Sequence, residues 1–317
     1  MDASVIIALL RQDMMDEQQA IIQYLNHAYA MPEGALPAQI EAIAREEMYH
    51  LDWLADCIVS LGGDPAMERT PPDLTPGAPQ QQMLKDVDLE QGAIDQYRAH
   101  IALIDDEQVR RLLARILQDE LVHQEQFRTL AEEAAVEPST GDGPSADASA
   151  APSARLGALL NAGIRHEYSV VLQYLYHSFV TEECEAAEEL QTAAINEMQH
   201  LGWLAEHLSE EGGQPDFAHG SLVLTRDLIA NLRADVQIEN DVTKMYSAQV
   251  PEVEDATLQK LLTRIRNQEI YHEEVFSHLL AEAETAAQAK PPCCGAGEPQ
   301  EPQNSAPTIP TVGSLKD

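Results

Sequence analysis

Residues 46–55 read EEMYHLDWLA, and residues 196–205 read NEMQHLGWLA. Glu47 and His50 stand three apart in the first stretch, Glu197 and His200 in the second. Residues three apart share one face of a helix. Each pair therefore offers a carboxylate oxygen and an imidazole nitrogen to the same point. The device occurs twice more, as Glu120 with His123 in DELVH (119–123) and Glu269 with His272 in QEIYH (268–272). A single pair of this kind is common on the solvated face of any helix. Four pairs at matched intervals predict a built site on helices.

Working outward, the whole chain repeats. Glu17 returns as Glu167, Tyr24 as Tyr174, Glu47 as Glu197 and His50 as His200, each 150 residues on. Glu90 returns as Glu239, Glu120 as Glu269 and His123 as His272, each 149 residues on. Flanking residues repeat as well: QYL at 23–25 and 173–175, WLA at 53–55 and 203–205, GG at 62–63 and 212–213. Duplication that preserves packing explains Leu, Trp and Gly. It does not explain six carboxylates and imidazoles per half at positions where apolar side chains would pack.

Apolar periodicity predicts helices over 3–30, 36–61, 80–104 and 106–135 in the first half, with Met31-Pro32-Glu33-Gly34 as a turn and Gly62-Gly63 as a stop. Residues 64–79 are rich in Pro and polar residues, long enough to cross the length of a bundle. EPSTGDGPSADASAAPSA (137–154) reads as a flexible linker, and residues 290–317 as a second low-complexity segment. The expected fold is all-α: two tandem four-helix bundles (1–136 and 155–289) with a disordered C-terminal tail.

Lys and Arg total 19 against 54 Asp and Glu, a formal net charge of -35. That balance disfavours nucleic acid and anionic membranes as partners and favours cations. No run of about 18 apolar residues suggests a membrane span. The N-terminal stretch lacks the features of a signal peptide. Four cysteines, Cys57, Cys184, Cys293 and Cys294, form no C-x-x-C pair. A reducing cytoplasm is the expected compartment.

Each half thus supplies four carboxylates and two imidazoles. Buried in a bundle, they would be costly unpaired. Two divalent cations would balance the four negative charges. Carboxylate oxygens with imidazole suit Fe(II), and admit Mn(II), in the absence of thiolates. Tyr24 and Tyr174 share the ligand face of the first helix, where a hydrogen bond to a ligand or a redox role competes with plain core packing. His27 and His177 also repeat and read as structural. Asp86 and Asp235, one turn before Glu90 and Glu239, read either as surface groups or as carboxylates that orient a ligand histidine.

Each half resembles bacterioferritin, within the ferritin-like superfamily. DEQQAIIQYLNH is similar to its first helix, EEMYHLDW to its second, DLEQGA to its third and QDELVHQEQF to its fourth. The ligand plan of that superfamily is a Glu from each of two helices and a Glu-x-x-His from each of the other two. The resemblance implies one di-iron ferroxidase centre from Glu17, Glu47, His50, Glu90, Glu120 and His123, with two irons. It implies a second from Glu167, Glu197, His200, Glu239, Glu269 and His272. Fe(II) and dioxygen or peroxide are the implied substrates. Bacterioferritins also bind haem through a methionine after the second-helix glutamate. Met48 and Met198 occupy that place, but methionine there is frequent in non-haem relatives, so haem is not expected. Bacterioferritin has one bundle per chain, so the fusion puts its storage shell in doubt, and a homo-oligomer of another kind is compatible with the resemblance.

The sequence ends in TVGSLKD. Ile309, Val312 and Leu315 are apolar at intervals of three in a polar tail, and Gly313 lets a peptide lie close to a partner. The run Ile309, Thr311, Val312, Gly313, Ser314, Leu315, Lys316 resembles the cargo-loading peptide of encapsulin nanocompartments, departing at Pro310 and Asp317. The resemblance implies an encapsulin shell as partner. Competing functions are a rubrerythrin-like peroxide reductase, a di-iron oxygenase, and a cargo protein that binds iron without turnover.

Overall fold

The computed structural model describes residues 1–136 and 152–289. The chain forms eight α-helices in that span: α1 (Ala3–Tyr29), α2 (Ala35–Ser60), α3 (Pro79–Leu103), α4 (Glu107–Val136), α5 (Ala154–Val180), α6 (Cys184–Glu210), α7 (Leu228–Gln249) and α8 (Ala256–Ala289). No strand occurs among the described residues. No described helix is long and apolar enough to cross a membrane. The tail motif at 309–317, Cys293 and Cys294 lie outside the described residues.

α1 buries Ile6, Leu10, Met14, Ile21 and Leu25, the helical spacing that made it legible. It packs on α2 as a hairpin, and α3 packs on α4 likewise. Contacts of α1 with α3 and α2 with α4 close the four helices around one axis. α5 to α8 repeat that order. α2 stops where Gly62 takes a φ of 83° and donates its N–H to Val59 O at 2.9 Å. Gly63 must also be small, because a Cβ there would lie 2.8 Å from Ile7 Cγ2. Gly212 repeats the turn at φ 75°.

The second bundle begins earlier than the composition suggested. Ala154 opens α5, and Ser153 caps it by accepting the Leu156 N–H at 3.2 Å. Both residues fall inside the stretch read as linker. A serine in a polar run is as good a helix start as a linker residue.

Buried polar bonds tie the long crossovers to the bundles. Gln23 Nε2 donates to Asp86 Oδ1 at 2.9 Å, and Gln23 Oε1 accepts the Asp73 N–H at 2.9 Å. Gln173 repeats this between Asp235 (2.8 Å) and the Val223 N–H (2.9 Å).

The two bundles pack side by side, α1 against α6 and α2 against α5. One apolar cluster runs through both, including Leu10 and Leu54 from the first and Leu160 and Leu204 from the second. Tyr29 lies over Gly202, where a Cβ would sit 3.0 Å from the tyrosine Oη. At the rim, Arg226 Nε donates to Asp64 Oδ1 at 2.8 Å, and Arg69 Nη2 donates to Phe217 O at 2.7 Å.

Candidate metal centres

The apolar stripes that pack each bundle rotate one polar face per helix onto the axis. α1 brings Glu17, α2 Glu47 and His50, α3 Glu90, and α4 Glu120 and His123. α5 to α8 bring the corresponding six. All twelve are buried, and Glu17 is the most exposed at 4%.

The six converge as two overlapping groups. Ligand atoms of Glu17, Glu47, His50 and Glu120 all lie within 4.8 Å of one another, and so do those of Glu47, Glu90, Glu120 and His123. Glu47 and Glu120 belong to both groups and stand between two candidate metal positions. In the second bundle Glu197 and Glu269 take that place. His50 Nδ1 is 2.7 Å from Glu47, 3.0 Å from Glu120 and 3.7 Å from Glu17. His200 Nδ1 is 2.6, 3.0 and 3.7 Å from Glu197, Glu269 and Glu167. His123 Nδ1 is 2.9 Å from Glu47, and His272 Nδ1 is 2.6 Å from Glu197.

Close approach has not satisfied these groups. Both Glu47 oxygens, His50 Nδ1, Glu90 Oε2, Glu120 Oε1 and His123 Nδ1 are buried without a hydrogen-bond partner. Glu167 Oε2, Glu197 Oε1, Glu239 Oε2, Glu269 Oε1 and His272 Nδ1 repeat the deficit. Orphaned buried donors and acceptors are rare in native proteins. Here they are carboxylate oxygens and imidazole nitrogens gathered at common points, with four carboxylates that two divalent cations per bundle would neutralise. The donor set fits Fe(II) or Mn(II).

Protonation reflects the same crowding. Burial, then the neighbouring carboxylates Glu120 and Glu47, pushes Glu17 and Glu90 well above the usual carboxylate range. Burial also acts to raise Glu47, but His123 and His50 outweigh it and hold it below that range. His123 is pushed up to about 11 by Glu47 and Glu120 in spite of burial, and His272 to about 9 by Glu197 and Glu269.

Tyr24 and Tyr174 reach two of the candidate ligands. Tyr24 Oη donates to Glu90 Oε1 at 2.6 Å, and Tyr174 Oη to Glu239 Oε1 at 2.5 Å. Two tyrosines escaped the sequence reading: Tyr97 donates to Glu17, and Tyr246 to Glu167. They lie seven residues after Glu90 and Glu239, on the ligand face of their helices, and they too repeat. That spacing was the available signal. Asp86 and Asp235 orient no ligand histidine. They pair instead with His27 Nδ1 (2.8 Å) and His177 Nδ1 (2.9 Å), one helix away. Met48 and Met198 are half-buried against the shared apolar cluster.

A cavity of about 200 Å³ adjoins the first centre. Asp13, Asp16, Gln19 and Gln96 line it along with the ligands Glu17, Glu90 and Glu120.

The family described as ferritin-like domain matches the chain twice, over residues 7–135 and 157–286. Bacterioferritin of Desulfovibrio desulfuricans is 29% identical over 124 residues, covering 37% of this chain and 69% of that protein. Among solved structures, the bacterioferritin of the same organism superposes with a TM-score of 0.40 at 22% identity, over 46% of this chain and 93% of that one. Mycobacterium tuberculosis bacterioferritin BfrA gives 0.41 at 24% identity, over 43% and 90%. KatB, a manganese catalase from Anabaena, gives 0.38 at 22%, over 46% and 79%.

Proposed function

Because the chain belongs to the ferritin-like family, carrying its domain twice, we propose that each bundle is a ferroxidase centre with Fe(II) as substrate. Two ions bound together supply one electron each to an oxidant, dioxygen or peroxide. The observation that carries this reading is the pair of overlapping buried ligand groups in each bundle, joined through Glu47 and Glu120 or through Glu197 and Glu269. A structural site for one cation needs no second group and no shared carboxylates. Glu47 and Glu120, common to both groups, would hold the two ions as neighbours, and His50 and His123 would each complete one of the two positions. Tyr24 and Tyr97 donate hydrogen bonds that hold Glu90 and Glu17 in place as protons leave the site. The net charge of -35 concentrates Fe(II) near the protein.

Stopped-flow mixing of the anaerobic Fe(II)-loaded protein with oxygen tests it. The wild type is expected to oxidise iron far faster than free solution, and Glu47→Ala with Glu197→Ala to abolish the fast phase while the helices remain. Stoichiometric binding without faster oxidation would identify an iron-binding protein in place of an enzyme. Turnover of peroxide or of an organic substrate with little net iron oxidation would favour the peroxidase or oxygenase reading. Metal analysis of the purified protein decides between iron and manganese.

The same reading extends to the tail. Residues 309–317 resemble an encapsulin cargo-loading peptide, and the protein is then the oxidising cargo of a shell that stores the mineral. Deleting residues 309–317 is expected to leave oxidation intact and to stop co-purification with a co-expressed encapsulin shell. Undiminished loading of the truncated chain would remove this part of the proposal.

A further inference from the structure

The twelve ligands repeat, but the groups behind them do not. In all four ligand histidines Nδ1 faces the carboxylates, so Nε2 points outward. In the first bundle His123 Nε2 is 2.8 Å from Glu46 Oε2, and His50 Nε2 is 3.5 Å from Asp119 Oδ2. In the second, His200 Nε2 is 3.0 Å from Gln268 Oε1, and His272 Nε2 is 3.4 Å from the Asn196 amide. Glu46 and Asn196 correspond in the repeat, as do Asp119 and Gln268. Each sits one residue before a ligand glutamate. Both outer carboxylates of one half are amides in the other.

With Nδ1 on a metal, Nε2 keeps its proton and donates outward. Asn196 then accepts through its oxygen, a half-turn of the amide. A carboxylate acceptor draws on that proton, makes the imidazole a stronger electron donor and adds negative charge beside the site. An amide makes the bond without the charge. More basic ligands and a more negative surround both favour the ion of higher charge.

Neighbouring charges do not cancel the difference. Arg115 holds Asp119 at 3.0 Å. Its counterpart Arg264 is present in the second bundle, with its guanidinium 4.2 Å over the Trp203 ring. Glu273 replaces Gln124 and adds one negative charge to the second bundle, but its Oε1 bonds Asn240 and Ser277 and not a ligand histidine, and this one charge stands against Glu46, Asp119 and Asp16 in the first. On the other side of the centre, Asp13 lies 2.8 Å from His100, and this matched pair gives way to Gly163 and Gln249, which leaves the net charge unchanged. Asp16 gives way to His166, and that change points the same way.

We propose that the two centres are inequivalent: Glu46 and Asp119 are positioning residues that lower the reduction potential of the N-terminal pair. It holds Fe(III) under conditions in which the C-terminal pair, backed by Asn196 and Gln268, still holds Fe(II). The inference rests on the assignment of the twelve ligands to iron.

The test is a potentiometric titration of the full-length protein loaded anaerobically with ⁵⁷Fe(II), after the bound iron has been counted, with Fe(III) and Fe(II) read by Mössbauer spectroscopy. E197A/E269A leaves only the N-terminal centre, and E47A/E120A only the C-terminal one. The N-terminal midpoint is expected lower by at least a tenfold change in the Fe(III)/Fe(II) ratio, about 59 mV for one electron. The isosteric E46Q/D119N, made in the N-terminal-only protein, is expected to raise it toward the C-terminal value. N196D/Q268E in the other is expected to lower that one. Equal midpoints in the two single-centre proteins, or a midpoint unmoved by E46Q/D119N, overturn the proposal alone. Fewer irons than the four ligand groups provide for would overturn the iron assignment and this inference with it.

Discussion

His27 Nδ1 lies 2.8 Å from Asp86 Oδ2, and neither side chain is exposed to water. The pair joins α1 to α3, and Gln23 extends it to the backbone of the crossover at Asp73. The second bundle builds the same link from His177, Asp235 and Gln173. Its position, one turn from Glu90, makes it a strut for the ligand helix. Removing Asp86 leaves His27 Nδ1 and Gln23 Nε2 buried without their acceptor, which costs about 1–3 kcal/mol for each unsatisfied group. Asp86→Ala is therefore expected to lower the thermal midpoint of the first bundle clearly, while iron stoichiometry below that temperature is retained. Calorimetry with metal counting checks both halves of the statement. An unchanged midpoint would mean the pair is a bystander.

Shared and unshared ligands are expected to behave differently. Glu47 and Glu120 serve two groups, whereas Glu17 serves one. Glu47→Ala should empty a whole bundle of tightly bound metal, and Glu17→Ala one position of the pair. Equilibrium dialysis against Mn(II) gives the count directly. Equal losses in the two variants would argue against shared carboxylates.

Tyr24 and Tyr97 each donate to a different unshared ligand. Tyr24→Phe removes the donor to Glu90, and Tyr97→Phe the donor to Glu17. A hydrogen bond to a charged buried group contributes about 1.5–3 kcal/mol. Each variant is expected to weaken one metal position roughly tenfold or more, Tyr24→Phe the one held by His123 and Tyr97→Phe the one held by His50. Co(II) absorption spectra of the single-centre proteins distinguish the two positions. Identical spectra and affinities would show the phenols to be packing groups.

Acidity controls the metal-free protein. His272 and His123 bind their protons more tightly when folded, up to about 9 and about 11, than the value of 6.5 from which they start. A folded state that holds extra protons gains stability below the unfolded pKa and loses it as pH rises toward the folded one. Glu17 and Glu90, raised by burial, act in the same sense. The chelated protein is thus expected to lose thermal stability steadily from about pH 6.5 to 9. Metal takes the protons' place, so the Mn(II)-loaded protein should hold its midpoint across that window. Thermal scans with and without chelator read it. A flat profile for the chelated protein would contradict the protonated histidines.

The repeat and the twelve carboxylates and imidazoles that converge in the bundles were legible because helical periodicity and a four-fold recurrence of Glu-x-x-His survive in one dimension. So was the helix order, to within a residue at most ends. Contacts between helices were not. That Asp86 meets His27 depends on the rotation of α3 against α1, which spacing within either helix does not record. Tyr97 was hidden for a different reason: a buried tyrosine on a helix is ordinarily core, and only the position of Glu17 gives its hydroxyl a task. The packing of one bundle against the other was also out of reach. The faces involved, such as Tyr29 over Gly202, look like ordinary apolar stripes until their partner is in place.

The side-by-side union of the two bundles carries a genetic consequence. Two identical subunits must accept every substitution twice, once in each copy, so a pair made from one gene stays matched. Here the halves are written separately and share one peptide chain. A change at Asn196 leaves Glu46 untouched. Fusion therefore lets the partners drift into different trades while the apolar seam keeps them in permanent company.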